Sequence, residues 1–344
     1  MPAHAHYRIG IAGLVHDHVW GLLPDFQKTG GAELVAAADP HEPLRAKIAQ
    51  NFGIEDLYEN YGQMLDDKQL DIVLVCTSNA GATPVVEAAA QRGIHAIVEK
   101  PMAANLEQAD RMLQAAEEAG IRLMINWPTA WMPAIRYVYR LAEQGDLGEV
   151  HRIRYFGGHS GPKEIGCSPY FYNWLYDEEQ NGGGASLDYG GYGASLCRWF
   201  LGVPESVIGV ATRLVKDYID VDDNASLILR YPRALGLCDA TWTQVGQQPL
   251  GLIVNGTQAT AIIGPDGVLL ASQDEPGGRQ VTPPPLPLGE HNGPAYFLTC
   301  LRDDRPLEGL VNPRISRDAA EIVEAGVRSA KSGEAVKLPL KGGF

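Results

Sequence analysis

Residues 7–21 read Tyr7-Arg8-Ile9-Gly10-Ile11-Ala12-Gly13-Leu14-Val15-His16-Asp17-His18-Val19-Trp20-Gly21. The run Tyr7 to Ala12 reads as a strand, Gly13 breaks it, and apolar positions return at helical spacing from Val19 to Thr29. Strand, glycine turn and helix open a βα unit. A dinucleotide-binding turn at this place spells G-x-G-x-x-G from Gly13: the second glycine lets the backbone approach a pyrophosphate and the third lets the helix pack close. Val15 and His18 stand at those two positions. The place fits and the spelling departs, so two readings stay open: a cofactor turn made of Gly13, Val15, His16 and His18, or a structural βα connection. Either way the helix start offers free N–H groups to a phosphate.

Working outward, the same alternation repeats. Strands are expected at Glu33 to Ala38, Asp71 to Cys76, Ile94 to Val98 and Arg122 to Ile125. Helices are expected at Pro43 to Phe52, Thr83 to Arg92 and Leu106 to Ala119. Repeated strand–helix units with short links predict an α/β, doubly wound parallel sheet over residues 1–125, with ligands at the carboxyl ends of its strands. After Ile125 the pattern changes. A helix Pro133 to Gln144 leads to an extended run Glu149 to Phe156, a Gly-rich loop and the segment Gly182 to Leu201. Then come strand-like runs at Val207 to Leu214, Ala225 to Leu229, Leu235 to Thr243, Gly251 to Val254, Ala259 to Ile263 and Val268 to Ala271, with no helix between them. These predict an α+β second domain over residues 126–344 built on a large, mostly antiparallel sheet. The Pro- and Gly-rich tract Glu275 to Gly289 reads as a loop before the helices Pro294 to Arg302 and Ser316 to Lys331.

Composition narrows the classes. The 344-residue length suits about two domains with cores of their own. A net charge of -14, with no long basic run, argues against nucleic acid and anionic membrane as partners. The five cysteines form no CxxC pair and are odd in number, which fits a reducing compartment. Met1 to His6 lacks the layout of a signal peptide, and no apolar run is long enough to span a bilayer, so a cytoplasmic protein is expected.

Several residues stand where chemistry is done in such a sheet. Asp39 ends the run Ala36-Ala37-Ala38, where a carboxylate accepts both ribose hydroxyls of NAD and repels a 2′-phosphate, which favours NAD over NADP. It also suits an N-cap for the helix from Pro43. Thr77-Ser78-Asn79 follow another strand and would give the cleft a polar floor. Glu99-Lys100-Pro101 follow the apolar run Ile94 to Val98, so Lys100 is expected to project from a strand end into the cleft. His16-Asp17-His18 offers ligand types zinc accepts. Neighbouring residues at a helix start point in different directions and spacing places no further ligand, so no metal site is expected.

The chain resembles the glucose-fructose oxidoreductase and inositol dehydrogenase (Gfo/Idh/MocA) family. Its T-x-N and E-K-P motifs match Thr77, Asn79, Glu99, Lys100 and Pro101. The family's G-G-G followed by D-x-G-x-H or D-x-G-x-Y is similar to Gly182-Gly183-Gly184 with Asp188 to Tyr192, and its closing S-x-x-x-G-x-x-V-x-L-P resembles Ser329 to Pro339. The resemblance implies a bound NAD held by Gly13, Val15, His16, His18, Asp39, Thr77, Asn79, Glu99 and Lys100. It also implies a catalytic group in which Lys100 orients substrate, Tyr192 is the acid–base and Asp188 lies on the same helix face. A base of this kind needs the phenol's pKa lowered, and Lys100 is the expected cause. Ser195 stands where one branch carries a second Asp, Ala82 where many members have His, and Asn126-Trp127-Pro128 where paired arginines are common. A divergent substrate pocket follows, with Lys100, Asn126, Trp127, Tyr170, Trp174, Asp188 and Tyr192 as candidate substrate contacts; Trp131 is a further aromatic, and core packing is the alternative for the aromatics.

The expected function is an NAD-dependent oxidoreductase acting on a hydroxyl of a sugar, polyol or glycoside. Two alternatives remain. One is a redox-neutral glycosidase or lyase that oxidises its substrate transiently; the other is a non-catalytic sugar- or dinucleotide-binding regulator. An antiparallel sheet with one face left bare predicts a homodimer or homotetramer.

Overall fold

The computed structural model describes residues 6–246 and 251–340. Apart from His6, the stretch in which a signal peptide was not expected lies outside the described residues.

The first half folds as β1 (Tyr7–Ala12), α1 (Val19–Lys28), β2 (Ala32–Ala38), α2 (Glu42–Phe52), β3 (Leu57–Tyr58), α3 (Tyr61–Asp67), β4 (Ile72–Val75), α4 (Asn79–Ala90), β5 (His95–Glu99), α5 (Leu106–Ala119) and β6 (Leu123–Asn126). The six strands are parallel in the order β3-β2-β1-β4-β5-β6. The order reverses between β1 and β4, which opens a crevice at their carboxyl ends. Ile9, Ile11, Ile72, Val73 and Leu74 are fully buried, as strands covered on both faces must be. Each such side chain contributes about 1.5–3 kcal/mol by leaving water.

β3 and α3 were not expected. The two-residue strand is too short to show a period, and the helix of about two turns starts from an Asn60 cap whose side chain accepts the Gly62 N–H. α4 begins at Asn79 rather than Thr83 because Ser78 caps it, accepting the Gly81 N–H at 3.3 Å.

The second half contains α6 (Pro133–Gln144), β7 (Val150–Gly158), α7 (Pro169–Leu175), α8 (Glu178–Asn181) and α9 (Ala185–Leu201). Strands β8 (Ser206–Thr212), β9 (Asn224–Arg230), β10 (Leu235–Thr241), β11 (Gly251–Gly256), β12 (Ala259–Gly264), β13 (Gly267–Ser272) and β14 (Arg279–Val281) follow, then α10 (Gly293–Arg302), α11 (Pro313–Ser332) and β15 (Val336–Lys337). Nine strands form one sheet in the order β14-β13-β12-β11-β7-β10-β9-β8-β15, antiparallel except where β7 and β10 run parallel. Two expectations need correction. The tract Glu275 to Gly289 holds β14, paired with β13, and the supposed loop before Gly182 holds α7 and α8.

One face of this sheet is covered by α9 and α11, and α11 also packs against α5 of the first sheet. Glycines permit the closest contacts. A Cβ on Gly209 would lie 2.1 Å from the Gly326 carbonyl oxygen, so β8 and α11 touch backbone to backbone. Gly182, at φ +90, and Gly184 would put a Cβ 1.7 Å from the carbonyl oxygens of Ala104 and Asp222 respectively. The Gly182-Gly183-Gly184 run therefore seats the start of α9 against the loop after β5 and the loop before β9. Asp222 completes the seat by accepting the Gly184 N–H, Ser186 N–H and Ser186 hydroxyl at 3.0, 2.8 and 2.6 Å. The opposite face leaves Ile208, Val210, Ile228 and Leu235 exposed along β8, β9 and β10, with Ile208 opposite Ile228.

Candidate active site

Lys100 leaves the end of β5 and its ammonium donates to Asp188 Oδ1 at 2.6 Å. Both side chains are almost enclosed, at 6% and 12% exposure. Asp188 and Tyr192 lie four residues apart on α9, and the Lys100 ammonium sits 4.8 Å from the centre of the Tyr192 ring. Trp242, just after β10, donates from its indole N–H to Asp188 Oδ2 at 3.0 Å. The three residues expected to do the chemistry thus share one buried cluster, assembled from both sheets.

The electrostatics differ from expectation at one point. Burial would depress the Lys100 ammonium's pKa, but the Asp188 carboxylate outweighs it and holds the lysine above its ordinary value. Burial pushes Asp188 up, and Lys100, then His159, more than reverse this, so its carboxyl falls below its usual range. Tyr192 goes the other way: burial pushes its phenol up to about 12 and Lys100 only partly offsets it. The expected lowering of Tyr192 by Lys100 is therefore corrected. The lysine's charge is already satisfied by Asp188, and desolvation of the phenolate dominates.

Other expected residues take different parts. Asn126 donates to Glu99 Oε1 at 2.6 Å and accepts the Trp131 indole N–H at 3.0 Å, so it orients Glu99. Trp127 is fully buried, donates to the Ser316 hydroxyl at 2.9 Å and meets Tyr192 edge-on at 5.0 Å. It backs the tyrosine, where it has no surface free for stacking on a ring. Trp174 is buried against Phe171 and His16 with its indole N–H lacking a partner among the described residues, and Tyr170 meets His41 edge-on at 4.9 Å. Asn79 does not floor the cleft: its amide donates to Asn181 Oδ1 at 2.7 Å, tying α4 to α8. The Thr77 hydroxyl turns to the Ser78 carbonyl.

The dinucleotide turn retains part of its fit. Gly13 has φ +85, and a Cβ there would lie 2.7 Å from the Thr77 nitrogen, so the turn needs this glycine to approach the β4 end. Asp39, almost fully buried at the end of β2, accepts the Leu14 N–H at 2.6 Å and both the backbone N–H and ring Nδ1 of His41 at 2.8 Å. It thus braces the turn and steadies the residue that opens α2, and a carboxylate retains one acceptor site for a ribose hydroxyl. At the pyrophosphate end His16 spends its own N–H on the Cys76 carbonyl at 3.2 Å. Asp17 accepts the Ser168 N–H and hydroxyl at 2.6 and 2.7 Å, pinning the turn to the loop before α7. Val15 packs against the apolar cluster around Phe171 and Trp174. The residues suit the adenosine half of NAD by Gly13 and Asp39, and the turn beyond carries two histidines in place of open backbone.

Those histidines meet a partner that spacing could not supply. His18 Nδ1 lies 2.9 Å from Glu99 Oε2, and the rings of His16 and His18 are 4.6 Å apart. Sequence reasoning also missed Trp242, and His159, whose ring contacts Tyr189 edge-on at 5.2 Å and whose pKa burial lowers. Neither carries a motif, since each reaches the cluster from a strand end in the other sheet. No helix among the described residues is long and apolar enough to cross a membrane.

Comparison with known proteins follows the same division. Residues 8–127 match the oxidoreductase family with NAD-binding Rossmann fold, Gfo/Idh/MocA, and residues 135–262 match a C-terminal domain of that family. A D-apiose dehydrogenase of Paraburkholderia graminis is 28% identical over 94% of this chain and 86% of its own length. A levoglucosan dehydrogenase of Pseudarthrobacter phenanthrenivorans is 25% identical over 74% of this chain and 71% of its own. Among solved structures, a levoglucosan dehydrogenase with NADH and levoglucosan superposes with a TM-score of 0.82 at 21% identity, over 97% of this chain and all of that one.

Proposed function

The chain belongs to the Gfo/Idh/MocA family of NAD-binding oxidoreductases, and from that premise we propose that it transfers hydride between NAD and a hydroxyl-bearing carbon of a sugar or polyol. The observation that carries this reading is the enclosed Lys100–Asp188 pair beneath Tyr192 at the end of β5. Similarity to apiose and levoglucosan dehydrogenases supports the substrate class and favours net oxidation over a redox-neutral elimination.

NAD, when bound, accepts the hydride. Gly13 and Asp39 would hold its adenosine half, and Glu99 and Lys100, at the end of β5, would line the crevice that receives it. Lys100, fixed by Asp188, directs its ammonium at the substrate oxygen and favours negative charge there. Tyr192 is a phenol at neutral pH, so it donates a hydrogen bond to that oxygen and serves as the proton donor when a carbonyl is reduced. In the oxidising direction the phenolate takes the hydroxyl proton, and forming it at pH 7 from a pKa of about 12 costs roughly 7 kcal/mol. Oxidation should therefore accelerate as pH rises. The test is a panel of aldoses, polyols and anhydrosugars followed by NADH absorbance together with product. Aglycone release from a glycoside without NADH would replace this reading with the redox-neutral one.

NAD is expected to bind more tightly than NADP. Asp39→Ala should weaken NAD binding by roughly 10- to 100-fold, through the lost charged hydrogen bond, and narrow the preference. Calorimetric titration of both cofactors measures this; an unchanged NAD affinity would leave Asp39 as a brace for the turn alone.

We place the boundary between the cofactor and substrate domains after residue 125, and the protein in the cytoplasm, where its free cysteines stay reduced. We also propose a homo-oligomer formed through the bare face of β8 to β10, where Ile208, Val210, Ile228 and Leu235 would be buried. Sedimentation equilibrium should give a multiple of 37.2 kDa, and Val210→Lys should shift it toward that mass. A parent that sediments as a single chain would remove the proposal.

A further inference from the structure

We propose that His16, His18 and Glu99 form a three-ligand site for a divalent transition-metal ion such as zinc. One ligand atom from each lies within 4.8 Å of the others. Two imidazoles and a carboxylate are a donor set that zinc and its neighbours bind, whereas magnesium and calcium prefer oxygen throughout.

The surroundings are those of a built site. Glu99 is almost fully buried, and its second oxygen is fixed by the Asn126 amide at 2.6 Å. Buried His16 presents Nε2 to the Lys100 carbonyl at 3.4 Å, which leaves Nδ1 on the side of His18. An amide on the carboxylate and a backbone carbonyl behind an imidazole are the outer contacts that orient metal ligands. His18 is 38% exposed, so the outer side of the cluster is open to solvent, as in zinc sites that keep a free coordination position.

A His18–Glu99 hydrogen bond explains two of the three residues. It leaves His16 unexplained, since both of its ring nitrogens make only long contacts of 3.4 Å. It also leaves the buried Glu99 carboxylate, among the described residues, with the His18 imidazole in place of a permanent cation, because the nearby Lys100 ammonium is taken by Asp188. A cation answers both. Binding would move the His18 proton from Nδ1 to Nε2, freeing Nδ1 and Glu99 Oε2 for the ion. Zinc–ligand bonds of about 2.0–2.2 Å put tetrahedral ligand atoms about 3.4 Å apart, so atoms that now lie within 4.8 Å must draw together, which the part-exposed His18 side chain allows. The site uses residues 16, 18 and 99, which also border the cofactor crevice, so its test reads metal binding to the NAD-free protein and not turnover.

The test reads binding rather than turnover. Chelator-stripped protein is titrated with zinc chloride by calorimetry, with magnesium chloride as the comparison, and separately loaded with cobalt(II) for its visible spectrum. The expected result is one zinc per chain, no comparable magnesium binding, and an intense cobalt spectrum of low coordination number. His18→Gly writes the fingerprint glycine back into the turn, and Glu99→Gln keeps the side chain's shape. Each should weaken zinc at least tenfold, while loss of exposed His151 or His291 should change nothing. A parent that binds zinc no more tightly than His18→Gly overturns the proposal. So does a parent whose cobalt spectrum stays that of the hydrated ion, a result that needs no variant to fold.

Discussion

Lys100→Met is expected to lower turnover by about 10²–10⁴-fold and to destabilise the protein at neutral pH by about 3–5 kcal/mol. Two separate causes act. The substrate oxygen loses its cation, and Asp188 is left as a buried carboxylate without its ion pair, keeping the Trp242 indole as its hydrogen-bond donor among the described residues. The signs with pH then separate them. In the parent, Asp188 is depressed and Lys100 raised, so the pair stabilises above the unfolded carboxylate value of about 4 and below the unfolded lysine value of about 10. In Lys100→Met, burial of Asp188 is no longer offset, its folded pKa rises above the unfolded value, and stability should increase as pH falls toward 4. Adding Asp188→Asn should restore much of the stability and none of the turnover. Denaturant unfolding across pH with steady-state kinetics decides this. Turnover recovering together with stability would make the pair structural.

Tyr192→Phe is expected to reduce turnover by about two to four orders of magnitude while NAD affinity stays within a few-fold of the parent. The change removes one hydroxyl and keeps the ring that Trp127 backs, so the fold should persist. The pH dependence is the sharper readout. With a phenol pKa of about 12, the phenolate fraction grows about tenfold per pH unit across neutrality, so the parent's oxidation rate should climb with pH without a plateau near 7. That climb should vanish in Tyr192→Phe. Combining Tyr192→Phe with Lys100→Met should cost less than the sum, because the two groups act on one oxygen. A variant with near-parental turnover would move proton transfer to another group, and His159, held neutral by burial close to Asp188, is next in line.

The parallel sheet was legible because its signal is local. Tyr7–Ala12, Leu106–Ala119 and Pro133–Gln144 have the expected ends, marked by residues in or directly beside each segment: Gly13 after the first, the Asn105 cap and Gly120 around the second, and Pro133 and Gly145 at the two ends of the third. Two-residue β3 and the late β14 have no period to read, and each forms by pairing with the open edge of a neighbouring strand. Asp188 and Tyr192 could be placed on one helix face because helical geometry fixes residues four apart.

What lies across the chain was decided by the tertiary structure. Lys100 and Asp188 are 88 positions apart, and Trp242 reaches the same carboxylate from the second sheet. Enclosure by both sheets sets the sign of the Tyr192 shift, since desolvation depends on what surrounds the phenol and not on the motif that carries it. The same holds at the β1–α1 turn. From sequence, His16-Asp17-His18 was a triplet without a further ligand; in the fold Asp17 turns to Ser168 and Glu99 arrives from β5. Sequence alone determined the order of the longer strands and helices and the residue types at their ends, because backbone propensity and hydrophobic period act over a few residues. Only the packed structure determined which of those ends meet, because distance through space, burial and charge pairing are properties of the assembled chain.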